Sequence, residues 1–353
     1  MTAARAGASI LEAVPGANML ESLGAYGRAT RAQVQHYLQA APSAPYLGEL
    51  IADYPSRGGK MLRPAICIAN ARVFGGGEDA AIRCGAAIEI LHNGLLIHDD
   101  IQDGSELRRG RPTLHALHGA PLAINAGDAM MFTALRPLMD ALRPLGGEVA
   151  RQVLQVSLTM AQETAEGQAL ELGWRDCNVI DLSEADYLRM ALKKTAWMGM
   201  IWPAQLGLLI GSGGRGDAQS VVRFGYFLGV AFQIEDDLRN LSVDPGYGKE
   251  MNGDLFEAKR TLMLIHVWGA CSVDERHRLG RLLSAERKKR APEEVLWLAA
   301  LMEDLGSIRY ARAVAAAMAG AASHEFTMAY GDLPPSPDRD FLEGLAPWIF
   351  ARP

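Results

Sequence analysis

Residues 92–103 read His92-Asn93-Gly94-Leu95-Leu96-Ile97-His98-Asp99-Asp100-Ile101-Gln102-Asp103, an apolar run that ends in three aspartates. On a helix, residues one and four apart lie near one face, so we expect the three carboxylates to converge on one point. Crowded carboxylates repel one another, and a hard cation such as Mg²⁺, which prefers oxygen ligands, would remove that repulsion. Since a lone acidic cluster is as typical of a solvated helix end, a second cluster has to decide between these interpretations.

A second acidic cluster lies far along the chain. Residues 233–240 read Gln233-Ile234-Glu235-Asp236-Asp237-Leu238-Arg239-Asn240 and again end an apolar run with helical spacing. Two such helix ends that face each other across a cavity would hold a polyphosphate bridged by Mg²⁺, because the carboxylates alone would repel it. The duplication therefore favours a metal-diphosphate site over two solvated helix ends.

Basic residues accompany both clusters. Residues 58–64 place Lys60 and Arg63 at the start of a predicted helix, where free backbone N–H groups also favour phosphate. Arg108 and Arg109, just after the first cluster, carry planar guanidinium groups that suit phosphate oxygens. Further donors near glycines or helix ends are Lys194, Thr195, Lys249 and Lys259. This number of donors indicates a substrate with several phosphate charges.

The amino-acid composition limits the class of protein to which the chain can belong. The chain has 353 residues, 49% of them hydrophobic and 22% charged, as in a globular protein with an ample core. Its net charge of −6 argues against a nucleic-acid partner, which would favour a basic chain. The four cysteines are widely spaced and suggest buried thiols in a reducing compartment. Because the N-terminus lacks the apolar core of a signal peptide, we expect a cytoplasmic protein.

Helical periodicity dominates the chain, and alternating strand patterns are nearly absent. We predict a single large all-α domain of long packed helices at residues 31–353, preceded by a partly ordered arm at residues 1–30. Residues 195–214 contain no charged side chain, and we interpret them as a helix buried inside the bundle, with no transmembrane segment in the chain. The basic run at residues 287–290 is more typical of a solvated turn between helices.

Several motifs resemble, in order, those of the trans-isoprenyl diphosphate synthases, the polyprenyl synthetase family, of the geranylgeranyl or longer-chain type. They are GGKMLRP, LLIHDDIQDGSELRRGRPT, KKT, FQIEDDLRNL and YGKEMNGDLFEAKRTLMLIH, and the resemblance covers about residues 45–270. It implies an all-α bundle around a deep central cavity, commonly a homodimer. It also implies a reaction that joins isopentenyl diphosphate to an allylic diphosphate and releases diphosphate.

The resemblance also implies a role for each matching residue. Asp99, Asp100, Asp103, Asp236 and Asp237 would hold Mg²⁺, three ions per active site, on the allylic diphosphate. Residues that would contact this diphosphate or orient the second motif are Arg108, Lys194, Thr195, Gln233, Lys249 and Lys259. Residues that would bind isopentenyl diphosphate are Lys60, Arg63, His92 and Arg109. Where the family often has a third aspartate this chain has Asn240, so we expect metal binding there to depend on Asp236, with Asn240 accepting from a metal-bound water.

Product length is expected to depend on the residues before the first aspartate. Short-product members of the family place bulky aromatics four or five residues earlier, where this chain has Leu95 and Gly94, with Leu91 one turn lower. Because Gly94 has no side chain, we expect the growing tail to pass and the product to be C20 or longer. Candidates for a lower floor are Met130, Met131 and Phe132, although such a stripe is more often ordinary core.

Two alternatives remain open. A terpene cyclase on the same fold would need the aspartates and arginines but not the groups that bind isopentenyl diphosphate, so the presence of Lys60, Arg63, His92 and Arg109 argues against it. A non-catalytic subunit of a heteromeric synthase would tend to lose motif carboxylates, and only position 240 departs here.

Overall fold

The computed structural model describes residues 17–39, 45–241 and 251–351, and helices dominate these ranges. The α-helices are α1 Ala17–Gln39, α2 Gly48–Ser56, α3 Leu62–Val73, α4 Glu78–Asp103, α5 Leu114–His118, α6 Ala120–Thr133, α7 Leu135–Leu142, α8 Gly147–Asp176, α9 Glu184–Ala191, α10 Trp202–Gly211, α11 Val222–Asn240, α12 Gly253–Phe256, α13 Leu262–Ala270, α14 Val273–Ser284, α15 Pro292–Asp304, α16 Ser307–Tyr330, α17 Pro337–Glu343 and α18 Leu345–Ala351. A π-helix, Leu192–Ile201, joins α9 to α10, and short 3₁₀ turns cover Arg143–Leu145 and Arg287–Lys289. Two short antiparallel strands, β1 Leu107–Arg108 and β2 Arg111–Pro112, form a hairpin. The predicted all-α bundle is confirmed.

Helix α4 lies at the centre of the bundle and packs against α3, α6 and α7. It is the one helix in the described ranges that is long and apolar enough to cross a membrane, and 67% of its most apolar stretch is buried within the protein. A helix that is apolar on most sides is typical of the core of a large bundle. The packing of α4 therefore accounts for its composition.

The uncharged stretch at residues 195–214 is also a core element, as predicted. It contains most of the π-helix and all of α10, and α10 packs on α3 and α8. Almost every side chain from Ala196 to Ile210 is buried. The π-helix begins just before Lys194 and Thr195, and such wide turns are frequent at functional sites.

A close crossing holds the π-helix against α8. A Cβ placed on Gly167 would lie 2.2 Å from the backbone nitrogen of Lys194. No side chain fits in that space, so glycine allows the two backbones to touch. Gly167 therefore fixes the position of the backbone that carries Lys194.

The two ends of the described chain pack on each other. Helix α1 starts at Ala17, inside the segment that was predicted as an arm, and residues 1–16 lie outside the described residues. Asp338 at the start of α17 accepts hydrogen bonds from Tyr26 of α1 and, at 3.2 Å, from Arg72 of α3. Trp348 of α18 is buried in the main core. The division into arm and domain stays a prediction.

Candidate active site

The C-terminal end of α4 brings Asp99 and Asp103 to one side of the bundle. They are four residues apart, so both point from the same face of the helix. Asp103 accepts from Arg175 of α8 at 2.7 Å and pairs with Lys259 at 2.9 Å. Asp99 lies 3.5 Å from Lys194 Nζ. The lysines more than offset the effect of burial and lower the pKa of Asp103, so this face carries ionised oxygen ligands.

Asp100 does not share that face, which corrects the expectation that all three aspartates converge. Its side chain is 0% exposed and accepts from the hydroxyl of Tyr54 at 2.5 Å. Both carboxylate oxygens also accept from Arg108 Nε, at 3.0 and 3.1 Å. Successive helical residues are rotated by about 100°, so the residue after Asp99 turns into the protein. Asp100 is therefore an anchor for Arg108, and Asp99 and Asp103 are the better candidate ligands.

The two adjacent arginines of the β-hairpin contact different parts of the protein. Arg109 and Gly110 occupy the two-residue turn, both with positive φ, of 52° and 73°. Such a turn matches the twist of the two strands and favours glycine at its second position. Arg108, on β1, reaches Asp100, whereas Arg109 donates to the backbone carbonyls of Gly58 and, at 3.2 Å, Tyr54. One short motif thus serves both predicted diphosphate sites.

Two lysines lie above the α4 end among several carboxylates. Lys194 Nζ is 2.5 Å from Glu171 of α8, and the charges of Glu171 and Asp99 outweigh burial and raise its pKa. Lys259 is shared by Asp103 at 2.9 Å, Glu257 at 2.9 Å and Asp254 at 3.3 Å. Both lysines are therefore protonated and already oriented toward the space in front of Asp99 and Asp103.

A hydrogen-bond chain links the π-helix to the second acidic cluster. Thr195 donates to Gln233 at 2.5 Å, Gln233 donates to Asp237 at 2.7 Å, and Tyr187 donates to the other oxygen of Asp237 at 2.8 Å. Burial and the neighbouring charge of Asp254 raise the pKa of Asp237 to about 8. Both oxygens of Asp237 have protein partners, and the metal contacts predicted for Asp236 and Asp237 stay predictions.

Asn240 contacts the segment that leads into α12. Its side-chain oxygen accepts the backbone N–H of Asp254 at 3.0 Å, and its own carbonyl accepts the N–H of Asn252 at 2.9 Å. Asn240 is buried and so anchors the start of α12. An amide oxygen has two lone pairs, so the contact predicted with a metal-bound water stays a prediction.

A second basic group surrounds the start of α3. Arg63 Nε and His92 Nδ1 are buried, and neither finds a hydrogen-bond partner among the described residues. Burial and the charge of Arg63 lower the pKa of His92 to about 4, so the imidazole is neutral near pH 7. Burial lowers the pKa of Arg63, against the opposing charges of Glu89 and Asp236. The nearest carboxylate to His92 Nδ1 is that of Glu89 at 3.9 Å, beyond hydrogen-bond distance, and buried donors without hydrogen bonds point to a ligand.

Lys60 and Lys249 complete the predicted donors. Lys60 is exposed, and its Nζ lies 5.6 Å from the centre of the Trp348 ring. Lys249 lies outside the described residues.

Mg²⁺ fits the first cluster by donor chemistry. Asp99 and Asp103 offer hard carboxylate oxygens from one helix face, and Lys194, Lys259 and Arg175 offset their charge. In the described ranges no three acidic, histidine or cysteine side chains already surround one point. Mg²⁺ commonly takes one or two protein carboxylates, with substrate phosphate and water as its other ligands. The residues present therefore suit Mg²⁺ bound together with a diphosphate.

The packing around Gly94 differs from the open passage that was expected at this position. Gly94 is buried against α6, where an added Cβ would lie 3.0 Å from the carbonyl oxygen of Gly127 and 3.1 Å from Met130 Cβ. The missing side chain thus permits a close helix crossing and does not open a passage. Leu91 and Leu95 are half-buried and pack on the main core, and they remain candidates. Phe132 is 74% exposed and cannot form a floor inside the protein.

Sequence reasoning missed several residues of the site. Glu171 and Arg175 come from α8, which carries no recognisable motif, and Tyr187 from α9. Asp254 and Glu257 lie inside the motif YGKEMNGDLFEAKRTLMLIH, in which only Lys249 and Lys259 were predicted to belong to the site. Burial raises the pKa of Glu257 to about 7, although Lys259 opposes this.

The basic run at residues 287–290 is not a wholly solvated turn, contrary to expectation. Arg287 donates to the carbonyl of Asp103 at 2.7 Å and pairs with Glu257 at 3.1 Å. Arg290 donates to the carbonyls of Phe256 and, at 3.2 Å, Leu282. Spacing on a loop gives no direction to a side chain, so the sequence held no signal for these contacts.

Comparison with known proteins identifies the family. The polyprenyl synthetase family model matches residues 44–302. A geranylgeranyl diphosphate synthase of Sulfolobus acidocaldarius is 37% identical over 268 residues, which are 76% of this chain and 79% of the relative. A crystal structure of geranylgeranyl pyrophosphate synthetase from Pyrococcus horikoshii superposes with a TM-score of 0.80 at 29% identity, covering 94% of this chain and 99% of that one. A polyprenyl synthase from Caulobacter crescentus, crystallised with calcium and isoprenyl diphosphate, gives 0.83 at 25% identity, covering 96% and 99%.

These matches span the two acidic clusters and the basic residues around them. The chain therefore belongs to the polyprenyl synthetase family, the trans-isoprenyl diphosphate synthases, and is a trans-prenyltransferase of the chain-elongating type.

Proposed function

We propose that the protein condenses isopentenyl diphosphate head-to-tail with an allylic diphosphate in a Mg²⁺-dependent reaction. One observation carries the proposal. Two groups of cations adjoin each other, one beside the carboxylates of α4 and one around the start of α3, because Arg108 lies 3.6 Å from Asp99 and the next residue, Arg109, contacts the carbonyl of Gly58. A chain-elongating enzyme needs two diphosphate sites, whereas a cyclase needs one.

The group at the end of α4 would take the allylic diphosphate. Lys194 and Lys259 point at the space in front of Asp99 and Asp103, and both are held there by carboxylates. Mg²⁺ bound with the diphosphate would supply positive charge that favours loss of the leaving group. The lysines add preorganised charge at the same place, so ionisation of the allylic C–O bond would cost less reorganisation. Thr195 donates its hydroxyl proton to Gln233 and so orients Gln233, which donates to Asp237 of the second acidic cluster.

The group around α3 would take isopentenyl diphosphate. Arg63 Nε and His92 Nδ1 make no hydrogen bond among the described residues, the nearest carboxylate oxygen to His92 Nδ1 being that of Glu89 at 3.9 Å, so a bound diphosphate would satisfy them. The Arg109 guanidinium is held by the carbonyls of Tyr54 and Gly58, which direct it toward the same end of α3. Because His92 is neutral near pH 7, it would act as a hydrogen-bond donor or acceptor and add no charge.

A carbocation formed between these groups survives only where water is excluded. The half-buried apolar side chains of Leu91 and Leu95 lie on α4 below the aspartates, in contact with the main core. Neither position carries an aromatic ring, and we therefore propose a product of C20 or longer. The relatives from Sulfolobus acidocaldarius and Pyrococcus horikoshii are described as geranylgeranyl synthases, in line with this length.

We also infer a homodimer. Helices α6 to α8 expose large apolar side chains, among them Phe132 at 74%, Met139 at 70% and Leu158 at 66%. An apolar face of this kind is typical of a surface that a partner covers. A second copy of the chain is the partner that needs no other component. The four free cysteines agree with a reducing compartment, and a cytoplasmic location stays a prediction.

Product analysis tests the proposal. Purified protein is incubated with Mg²⁺, isopentenyl diphosphate and, separately, dimethylallyl, geranyl and farnesyl diphosphate. Elongated products of C20 or longer support it. Cyclised hydrocarbon from an allylic diphosphate alone would instead favour the terpene cyclase, and turnover only after a partner is added would favour the non-catalytic subunit.

A further inference from the structure

The turn between α14 and α15 touches the candidate allylic site, although nothing in the family motifs includes it. Arg287 reaches two parts of that site at once: the carbonyl of Asp103 at 2.7 Å and the carboxylate of Glu257 at 3.1 Å. Lys289, two residues later, is 71% exposed, and its ion pair within the described part of the chain is the local one with Glu286 at 3.1 Å. The two basic residues of one turn therefore have different environments.

The first contact fixes the end of α4. Asp103 is the last residue of the helix, where the carbonyls have no partner within the helix. A guanidinium at a helix C-terminus satisfies such a carbonyl and interacts favourably with the helix dipole. Arg287 thus holds the backbone of the residue whose side chain faces the candidate metal.

The second contact concerns the charge of Glu257. This carboxylate is buried, and its other oxygen lies 2.9 Å from Lys259, which also serves Asp103 and Asp254. If Lys259 turns toward a bound diphosphate, Glu257 needs another cation, because a buried charge without one is costly. Arg287 is in place to supply it.

Arg290 keeps the turn in position. It donates to the carbonyl of Phe256, the residue before Glu257, and to Leu282 and Leu283 of α14, each at 3.2 Å. The turn is therefore tied both to α14 and to the segment that carries Glu257 and Lys259.

We propose that Arg287 is a positioning residue for the allylic diphosphate site: it fixes Asp103 and neutralises Glu257, which leaves Lys259 free to engage diphosphate. The inference rests on the proposed function, since it assigns a role within the same site. Arg287 would not touch the substrate itself.

The test compares full-length variants Arg287→Ala, Arg287→Lys, Lys289→Ala and the double variant Arg287→Ala/Glu257→Gln at pH 8. Calorimetry measures the Kd of inorganic diphosphate with Mg²⁺, and steady-state kinetics measure KM for each substrate. Loss of a charged hydrogen-bonding partner predicts that Arg287→Ala weakens diphosphate binding and raises KM for the allylic substrate about 10-fold. KM for isopentenyl diphosphate should not change, Arg287→Lys should restore part of the loss, and removal of the Glu257 charge should restore most of it.

Lys289→Ala is the matched control and should behave like the wild type. An Arg287→Ala variant that equals Lys289→Ala would overturn the inference, and so would an equal rise of KM for both substrates. The proposed function fails separately: if the wild type binds Mg²⁺-diphosphate but makes no elongated product, the binding comparison still decides the role of Arg287. A wild type that binds no diphosphate would contradict both.

Discussion

Asp100→Asn should damage stability and spare metal binding, although Asp100 lies inside the acidic motif. The carboxylate is 0% exposed, and its partner Arg108 is almost as deeply buried. The substitution keeps the shape and the Tyr54 contact but removes the main counter-charge of a buried guanidinium. Among the described residues, Asp99 at 3.6 Å is then the remaining carboxylate partner of Arg108. Breaking such a pair costs about 3 kcal/mol. Asp99→Asn, at a partly exposed position, should cost less than about 1 kcal/mol.

Urea unfolding of the metal-free variants measures this difference, and thermal shifts on adding inorganic diphosphate with and without Mg²⁺ measure binding. We expect Asp100→Asn to lower the free energy of unfolding and to retain Mg²⁺-dependent stabilisation by diphosphate. Asp99→Asn should show the reverse pattern. The reasoning is wrong if Asp100→Asn unfolds like the wild type and loses the Mg²⁺-dependent shift.

Three further predictions test other parts of the site. Gly167→Ala should lower the free energy of unfolding by about 1–3 kcal/mol and abolish most of the activity, because its Cβ would lie 2.2 Å from the backbone nitrogen of Lys194. Gly173→Ala, on the same helix and with open space around it, is the control. Equal effects of the two substitutions would contradict the account. His92→Gln should make the free energy of unfolding less sensitive to acid. The pKa of His92 in the folded protein is about 4, below the ordinary 6.5, so the unfolded chain binds the proton first and stability falls as pH drops from 6.5 to 4. The wild type should therefore lose about 2.5 kcal/mol more than the variant between pH 7 and pH 4.5 in urea unfolding, and parallel pH profiles would refute it. Leu95→Phe should shorten the main product, whereas Gly94→Ala should mainly lower stability, because its Cβ would press on α6. Chromatography of the products distinguishes these outcomes. An unchanged product length in Leu95→Phe would contradict the role of Leu95 in setting that length.

Much of the fold could be predicted because the helices carry strong apolar periodicity and end in recognisable charged motifs. The end of α4 is an example: spacing alone places Asp99 and Asp103 on one face. Helical rotation turns Asp100 away from that face, but its partner could not be predicted, because Tyr54 lies 46 positions earlier and packs beside it only in the folded chain. The role of Gly94 could not be predicted for a similar reason, since the absence of a side chain is compatible with open space or with a close neighbour.

Residues without a motif were beyond sequence reasoning. Glu171 of α8 and Arg287 act through contacts across the bundle, and no local pattern marks either of them. Asn240 lies in a motif that suggests metal chemistry, and the structure adds a role that the motif does not indicate, because its amide secures the backbone of Asp254.

The central claim is that two diphosphate sites cooperate in one condensation. The most direct measurement is the stoichiometry of diphosphate release against consumption of isopentenyl diphosphate, with each substrate alone, both together, and both with a chelator. The account predicts one diphosphate released per isopentenyl diphosphate consumed, only when both substrates and Mg²⁺ are present. Release at the same rate from the allylic diphosphate alone, or in the presence of the chelator, would contradict it.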